Sequence, residues 1–310
     1  MKENRNVLNL PAGITDVPRF EQHLRKRMTE LMQVFNIVDI EKIVRSYALD
    51  FALKEHEAGI EKVQLHTTPR KPSSSYNSEM SLDEIANFYH IDKGTADARE
   101  LHWHTACPTH VCHHYTTLYA KYMNEYREKK VKLIELGISD GRFPLGSLKM
   151  WLAYFKDVEL FGLDNNPQID PKQITEMGGY FGFMDQGVES HWGKMKKMLP
   201  TDFDFFIEDG SHAPNDMMYT LYQSIDMVKK GGYYFMEDIM TPENYEISIR
   251  HGSPDSTMIY RELLNIQEKG LFNTQFLSEE ENKSVQDSYE LVELFTGPHK
   301  IVSSAVFRKK

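Results

Sequence analysis

The most regular signal in the chain is a series of short apolar runs, each stopped by turn or acidic residues and separated by segments with helical spacing. Residues 131–136 (VKLIEL), 159–163, 180–184, 203–207 (FDFFI) and 233–236 (YYFM) read as strands. The amphipathic stretch 215–228 reads as a crossover helix, so the last two strands lie side by side and point the same way. Helical spacing also marks 147–155 and 256–269, and Ser81 with Glu84 forms a capping box ahead of Ile85, Phe88 and Tyr89. Two β-rich runs, 289–296 and 300–307, flank Gly297-Pro298-His299 and predict a closing antiparallel hairpin, whereas 278–287 (SEEENKSVQD) reads as an exposed acidic loop. Upstream, 17–37 and 40–58 carry apolar residues at helical spacing, and the Pro- and Ser-rich 67–77 marks a linker. The pattern predicts an α/β domain over 79–310, with a mostly parallel sheet, preceded by a helical accessory region and linker over 1–78.

Composition narrows the partners. Over 310 residues the formal net charge is -10, which argues against nucleic acid or an anionic membrane as the main partner, because those reward basic surfaces. Cys107 and Cys112 offer no disulfide framework, no apolar run is long enough to span a bilayer, and no secretory leader is visible. A small-molecule partner and a cytoplasmic location are the expectations.

The chemistry concentrates where strands end. Glu208 and Asp209 follow one run and Glu237 and Asp238 the next, so parallel pairing brings all four acids to one carboxyl edge, where open α/β sheets bind ligands. Carboxylates gathered there repel unless a cation sits among them, and a hard divalent ion with oxygen ligands is the simplest resolution. His212 lies three residues beyond Asp209, close enough to act as a base. Behind the first strand, Gly137-Ile138-Ser139-Asp140-Gly141 has two readings. As G-x-S-x-G it matches a hydrolase nucleophile elbow with Ser139 as nucleophile. As E-x-G-x-x-x-G, with Glu135, Gly137 and Gly141, it is similar to the first loop of S-adenosylmethionine enzymes. Order along the chain favours the second, since an elbow normally follows several strands. Asp164 ends the second strand, suited to a ribose, and Asp185-Gln186 after the third strand is placed to reach an adenine. The dense His/Cys segment 102–114 matches no zinc spacing cleanly; its histidines are expected to line the cleft and cap the next helix.

In order, SLDEIANFYHIDKGT, HHYTTLYAKYM, VKLIELGISDG, GSLKMWLAYF, FGLDNNP, FDFFIEDGSH and GGYYFMEDI resemble the metal-dependent sugar O-methyltransferases of macrolide tailoring, the mycinamicin 2''-O-methyltransferase type. The resemblance covers about 81–238. It implies a Rossmann-like class I methyltransferase sheet, S-adenosyl-L-methionine as methyl donor, and Mg2+ (or Mn2+) held by Asp209, Glu237 and Asp238. It further implies His212 as general base and a cofactor site drawn from Glu135, Gly137, Ser139, Gly141, Asp164, Asp185 and Gln186. The acceptor would be a small molecule with vicinal oxygens, and the enzyme a homo-oligomer, dimer or tetramer. Glu208 stands where such enzymes often carry Asp. Some members of the wider group are cephalosporin hydroxylase-like, which leaves a metal-dependent hydroxylase beside the serine hydrolase as alternatives.

Overall fold

The structure, a computed structural model, describes residues 65–66, 75–95, 112–138, 145–241, 256–298 and 302–310. The expected accessory helices over 17–37 and 40–58, most of the His/Cys segment, and Ser139 and Gly141 of the glycine loop lie outside them.

Eight strands form one sheet: β1 (Leu65–His66), β2 (Lys130–Leu136), β3 (Asp157–Asp164), β4 (Tyr180–Phe183), β5 (Phe203–Glu208), β6 (Val228–Met240), β7 (Tyr289–Thr296) and β8 (Val302–Lys309), ordered β1-β4-β3-β2-β5-β6-β8-β7. The pairs from β4 through β6 are parallel; β1, β8 and β7 are antiparallel to their neighbours. The chain starts the parallel sheet in its middle at β2, winds outward through β3 and β4, then returns to β5 on the other side. That reversal opens a crevice between the carboxyl ends of β2 and β5.

Among the described residues the helices are α1 (Leu82–Phe88), α2 (Tyr115–Met123), α3 (Gly146–Tyr154), α4 (Pro171–Glu176), α5 (Glu189–Met195), α6 (Pro214–Gln223), α7 (Ser256–Lys269) and α8 (Glu279–Ser288). Every residue of β5 is buried, because each face of the central sheet has its own core. Tyr115, Tyr119, Trp151, Phe205 and Phe235 pack on one face, and Trp192, Phe203, Phe206, Met217 and Tyr234 on the other. A strand covered on both faces reads as a continuous apolar run, which explains the legibility of FDFFI. Among the described residues no helix is long and apolar enough to cross a membrane.

The fold follows the expected α/β plan, including the closing hairpin, with three departures. Residues 279–288 form helix α8 instead of an acidic loop: Ser278 and Glu281 make a full capping box, and Asn282 and Val285 supply a buried face. Strand β6 does not stop at Met236 but continues through both acids to Met240, with a bulge between Met236 and Ile239. Leu65–His66, upstream of the expected boundary, extends the sheet by pairing with β4.

Candidate active site

The crevice is built by close backbone approach. Gly137 leaves β2 at φ +83°, donates its N–H to Leu163 O (2.8 Å), and lies under the backbone of Asp209, whose N–H donates to Leu136 O (2.8 Å). A Cβ on Gly137 would stand 1.8 Å from Asp209 O, so only glycine fits. The glycine expected to admit a ligand thus also lets the β5 loop settle against β2. Gly210 does likewise for Gln186, whose Oε1 would meet an added Cβ at 1.7 Å.

Three ligand-bearing groups meet at this edge. Asp209, His212 and Asp238 each offer an atom within 4.8 Å of the others'. His212 Nε2 stands 3.9 Å from Asp209 Oδ1 and 3.8 Å from Asp238 Oδ2. The β6 bulge puts Asp238 at φ 54° beside His212, whereas its neighbour Glu237, expected as a third ligand, is not within that group and turns to Lys93. His212, at φ 53°, is also left-handed. Non-glycine residues in that region carry backbone strain, which clusters at functional sites.

Glu237 is fully buried and faces Lys93, whose Nζ donates to it and to Asp209 Oδ2 (2.5 Å). Tyr115 OH donates to Asp238 Oδ1 (2.9 Å) and accepts from the Asp238 N–H (3.1 Å), while His113 Nδ1 lies 3.1 Å from Asp238 Oδ1. Burial pulls His113 toward the neutral form, but Asp238 outweighs it and holds the imidazole up at about 9. Burial works against ionised Asp238 too, yet His113 and His212 keep it well below the usual carboxylate range. For Lys93, burial is overcome by Asp209 and Glu237, so it stays charged. Burial raises Asp209 despite Lys93, and raises Glu237 to about 7.

Beside the acids, Glu135 is buried, accepts from Trp151 Nε1 (2.9 Å) and is raised to about 7 by burial. Asp164 receives the Ile138 N–H (2.8 Å) on Oδ2 and the Asn166 N–H (2.8 Å) on Oδ1, and so braces the loop after β2. Asp185 accepts from Gly187 N–H (2.9 Å) and Asn165 Nδ2 (3.2 Å). Gln186 behaves otherwise than expected of an adenine ligand. Its amide donates to Glu208 Oε1 (3.0 Å) and Thr220 Oγ1 (3.3 Å) and accepts from Ser211 N–H (3.0 Å), so it ties the β4 and β5 loops together. Glu208, also raised to about 7 by burial, serves that inner network.

The sequence reading expected histidines of 102–114 in the cleft, where His113 lies against Asp238, but it missed Lys93 and Tyr115 as partners of the acids. Its own requirement of a cation among the carboxylates was the available signal, and the Asp-Lys-Gly-Thr loop was the place to look.

Strand order, switch-point crevice and closing hairpin are those of the Rossmann-like class I methyltransferase fold. No family model matches the chain. Within that class, the chain is related in sequence to sugar O-methyltransferases of antibiotic pathways. It is 32% identical over 137 residues to 8-demethyl-8-(2-methoxy-alpha-L-rhamnosyl)-tetracenomycin-C 3'-O-methyltransferase of Streptomyces olivaceus, covering 42% of this chain and 33% of that protein. It is 28% identical over 134 residues to mycinamicin VI 2''-O-methyltransferase of Micromonospora griseorubida, covering 42% and 32%. The chain thus matches about a third of the length of these curated relatives. Among solved structures it is similar to the MycE methyltransferase of the mycinamycin pathway, in complex with Mg and SAH, with a TM-score of 0.51 at 21% identity over 73% of this chain and 54% of that one. Neither the hydrolase nor the hydroxylase alternative finds support in these relatives.

Proposed function

We propose that the chain is an S-adenosylmethionine- and divalent-metal-dependent O-methyltransferase acting on a hydroxyl of a small molecule, with a sugar of a glycosylated natural product as the acceptor class. The observation that carries this reading is the meeting of Asp209, His212 and Asp238 beside Gly137 at the switch-point edge. The related sugar O-methyltransferases supply the class of reaction.

The residues fit the groups the reaction needs. Hard carboxylate oxygens suit Mg2+ or Mn2+, and buried Glu237 Oε1 and His212 Nδ1 have no hydrogen-bond partner among the described residues. Asp209, Glu237 and Asp238 would hold the ion. Glu135, whose buried Oε1 also has no partner among the described residues, would face the cofactor with Gly137, Ser139, Gly141, Asp164 and Asp185. A divalent cation supplies Lewis acidity that lowers the pKa of an alcohol, and S-adenosylmethionine supplies an already activated methyl group. His212, its side chain 32% exposed beside the two aspartates, takes the acceptor proton as general base. Asp209 and Asp238 hold the imidazole's neighbourhood in place, and the crevice between β2 and β5 orients acceptor against donor. The same reading carries a homo-oligomer, dimer or tetramer, which sedimentation of the full chain measures.

The test is methyl transfer from labelled S-adenosylmethionine to a panel of glycosylated acceptors. Transfer is expected to stop with excess chelator and return with Mg2+ or Mn2+. Transfer that persists in chelator, or a protein that does not bind the methyl donor, refutes the assignment.

A further inference from the structure

The acid cluster already contains a cation. Lys93 Nζ lies 2.5 Å from Asp209 Oδ2 and donates to Glu237 as well, with a side chain only 5% exposed. Lysines are rarely buried so deeply unless paired, and here the pairing engages two carboxylates that the proposed ion also needs. The backbone around Lys93 is pinned. His113 N–H donates to Asp92 O (2.7 Å), Thr116 N–H to Lys93 O (3.0 Å) and His114 N–H to Gly94 O (3.2 Å). Asp83 adds a clamp, accepting from Thr95 N–H (2.9 Å), Thr95 Oγ1 (2.5 Å) and Thr116 Oγ1 (2.6 Å). The strap is fixed, and the ammonium hangs from it on a four-carbon stem of rotatable bonds.

Lys93 takes one oxygen of each acid, Asp209 Oδ2 and Glu237 Oε2, and a divalent ion on the remaining oxygens would meet the repulsion of the ammonium at close range. Resting on the metal-dependent reading above, we propose that Lys93 is a tethered counter-ion: its ammonium pairs Asp209 with Glu237 whenever no divalent cation is bound, and swings aside when one binds. It is a positioning residue that keeps the carboxylates gathered, and it competes with the ion for them. A salt bridge serving the fold alone would not show that competition.

The full chain, stripped with chelator, is titrated with Mn2+ while free ion is followed by its electron paramagnetic resonance signal. Lys93→Met is expected to bind Mn2+ about tenfold more tightly than the native protein, because a repelling charge is gone. Unchanged or weaker binding overturns the proposal. Should Lys93→Met fail to fold, the native protein gives a second readout through amine acetylation and peptide mass mapping. Lys93 is expected to be protected in chelator and labelled several-fold faster in saturating Mg2+; equal protection in both overturns the proposal. If the native protein binds no Mn2+, the metal reading and this proposal fall together. If it binds Mn2+ normally and Lys93→Met shows no gain, only the role of Lys93 falls.

Discussion

Two residues at the switch-point edge do different work, and their substitution separates chemistry from construction. His212 is held in a left-handed conformation beside Asp209 and Asp238 yet keeps an exposed edge, which suits a base. Its replacement by Ala is expected to lower kcat by about 10²–10⁴-fold, the usual range for a general base. Cofactor-product affinity, measured by calorimetry with S-adenosylhomocysteine, should stay within about twofold of native, a change worth about 0.4 kcal/mol. Equal losses in both would remove His212 from the proton transfer. Gly137, in contrast, acts through the close approach its missing side chain allows. Ala there must adopt φ near +83° and place its Cβ against the Asp209 carbonyl. Backbone strain alone costs on the order of 1–3 kcal/mol, and relieving the clash moves the loop that carries Asp209. Urea unfolding should show the loss together with weakened Mn2+ binding; a midpoint matching the native protein would show that the two loops are not locked together.

At the scale of elements, helix α8 offers a clean test because its cap is complete: Ser278 Oγ accepts from Glu281 N–H and Glu281 returns a bond to the Ser278 N–H. Ser278→Ala is expected to cost about 0.5–2 kcal/mol in denaturant unfolding without touching methyl transfer. The Ser81–Glu84 box was read as a helix start because an apolar face follows it, whereas the Ser278–Glu281 box precedes a run charged on nearly every side. Its burial rests on Asn282 and Val285 alone, too sparse a stripe to signal a helix. The central strands were legible because both faces are covered, and with them the edge where Asp209 and Asp238 meet. The bulge in β6 was not, since nothing in YYFMEDIM distinguishes a strand that ends at its acids from one that kinks through them. Lys93 was hidden for a different reason. It lies 116 residues from Asp209 and 144 from Glu237, and no local pattern encodes a contact made only when the fold closes.

For the whole molecule, the charges gathered at one edge make stability depend on pH in a direction the shifts fix. Glu135, Glu208 and Glu237 are each raised by burial from 4.5 to about 7. An acid that holds its proton more tightly when folded favours the folded state at low pH, and that advantage is lost as pH rises from 4.5 through about 7. His113 is a base raised from 6.5 to about 9 by Asp238 against the effect of burial, so its contribution is present below 6.5 and lost as pH climbs through 9. The glutamates act up to about pH 7 and His113 from 6.5 to about 9, in the same sense, so stability is lost continuously from pH 6 to pH 9. Asp238, shifted the opposite way, gives up its contribution only as pH falls below the ordinary carboxylate range, outside this window. Chelator-treated protein is thus expected to melt at progressively lower temperature from pH 6 to pH 9. A net loss of even 1 kcal/mol would move the midpoint by roughly 2–4 °C or less in a chain of this size. A divalent ion binds the ionised carboxylates and so competes with their protons, which makes its stabilising effect grow over the same interval. Calorimetric scans at pH 6 and pH 8, with and without Mg2+, separate the two contributions: the ion should raise the midpoint more at pH 8. A midpoint that is flat or rising with pH in the absence of the ion would mean that the buried glutamates are already ionised in the native fold.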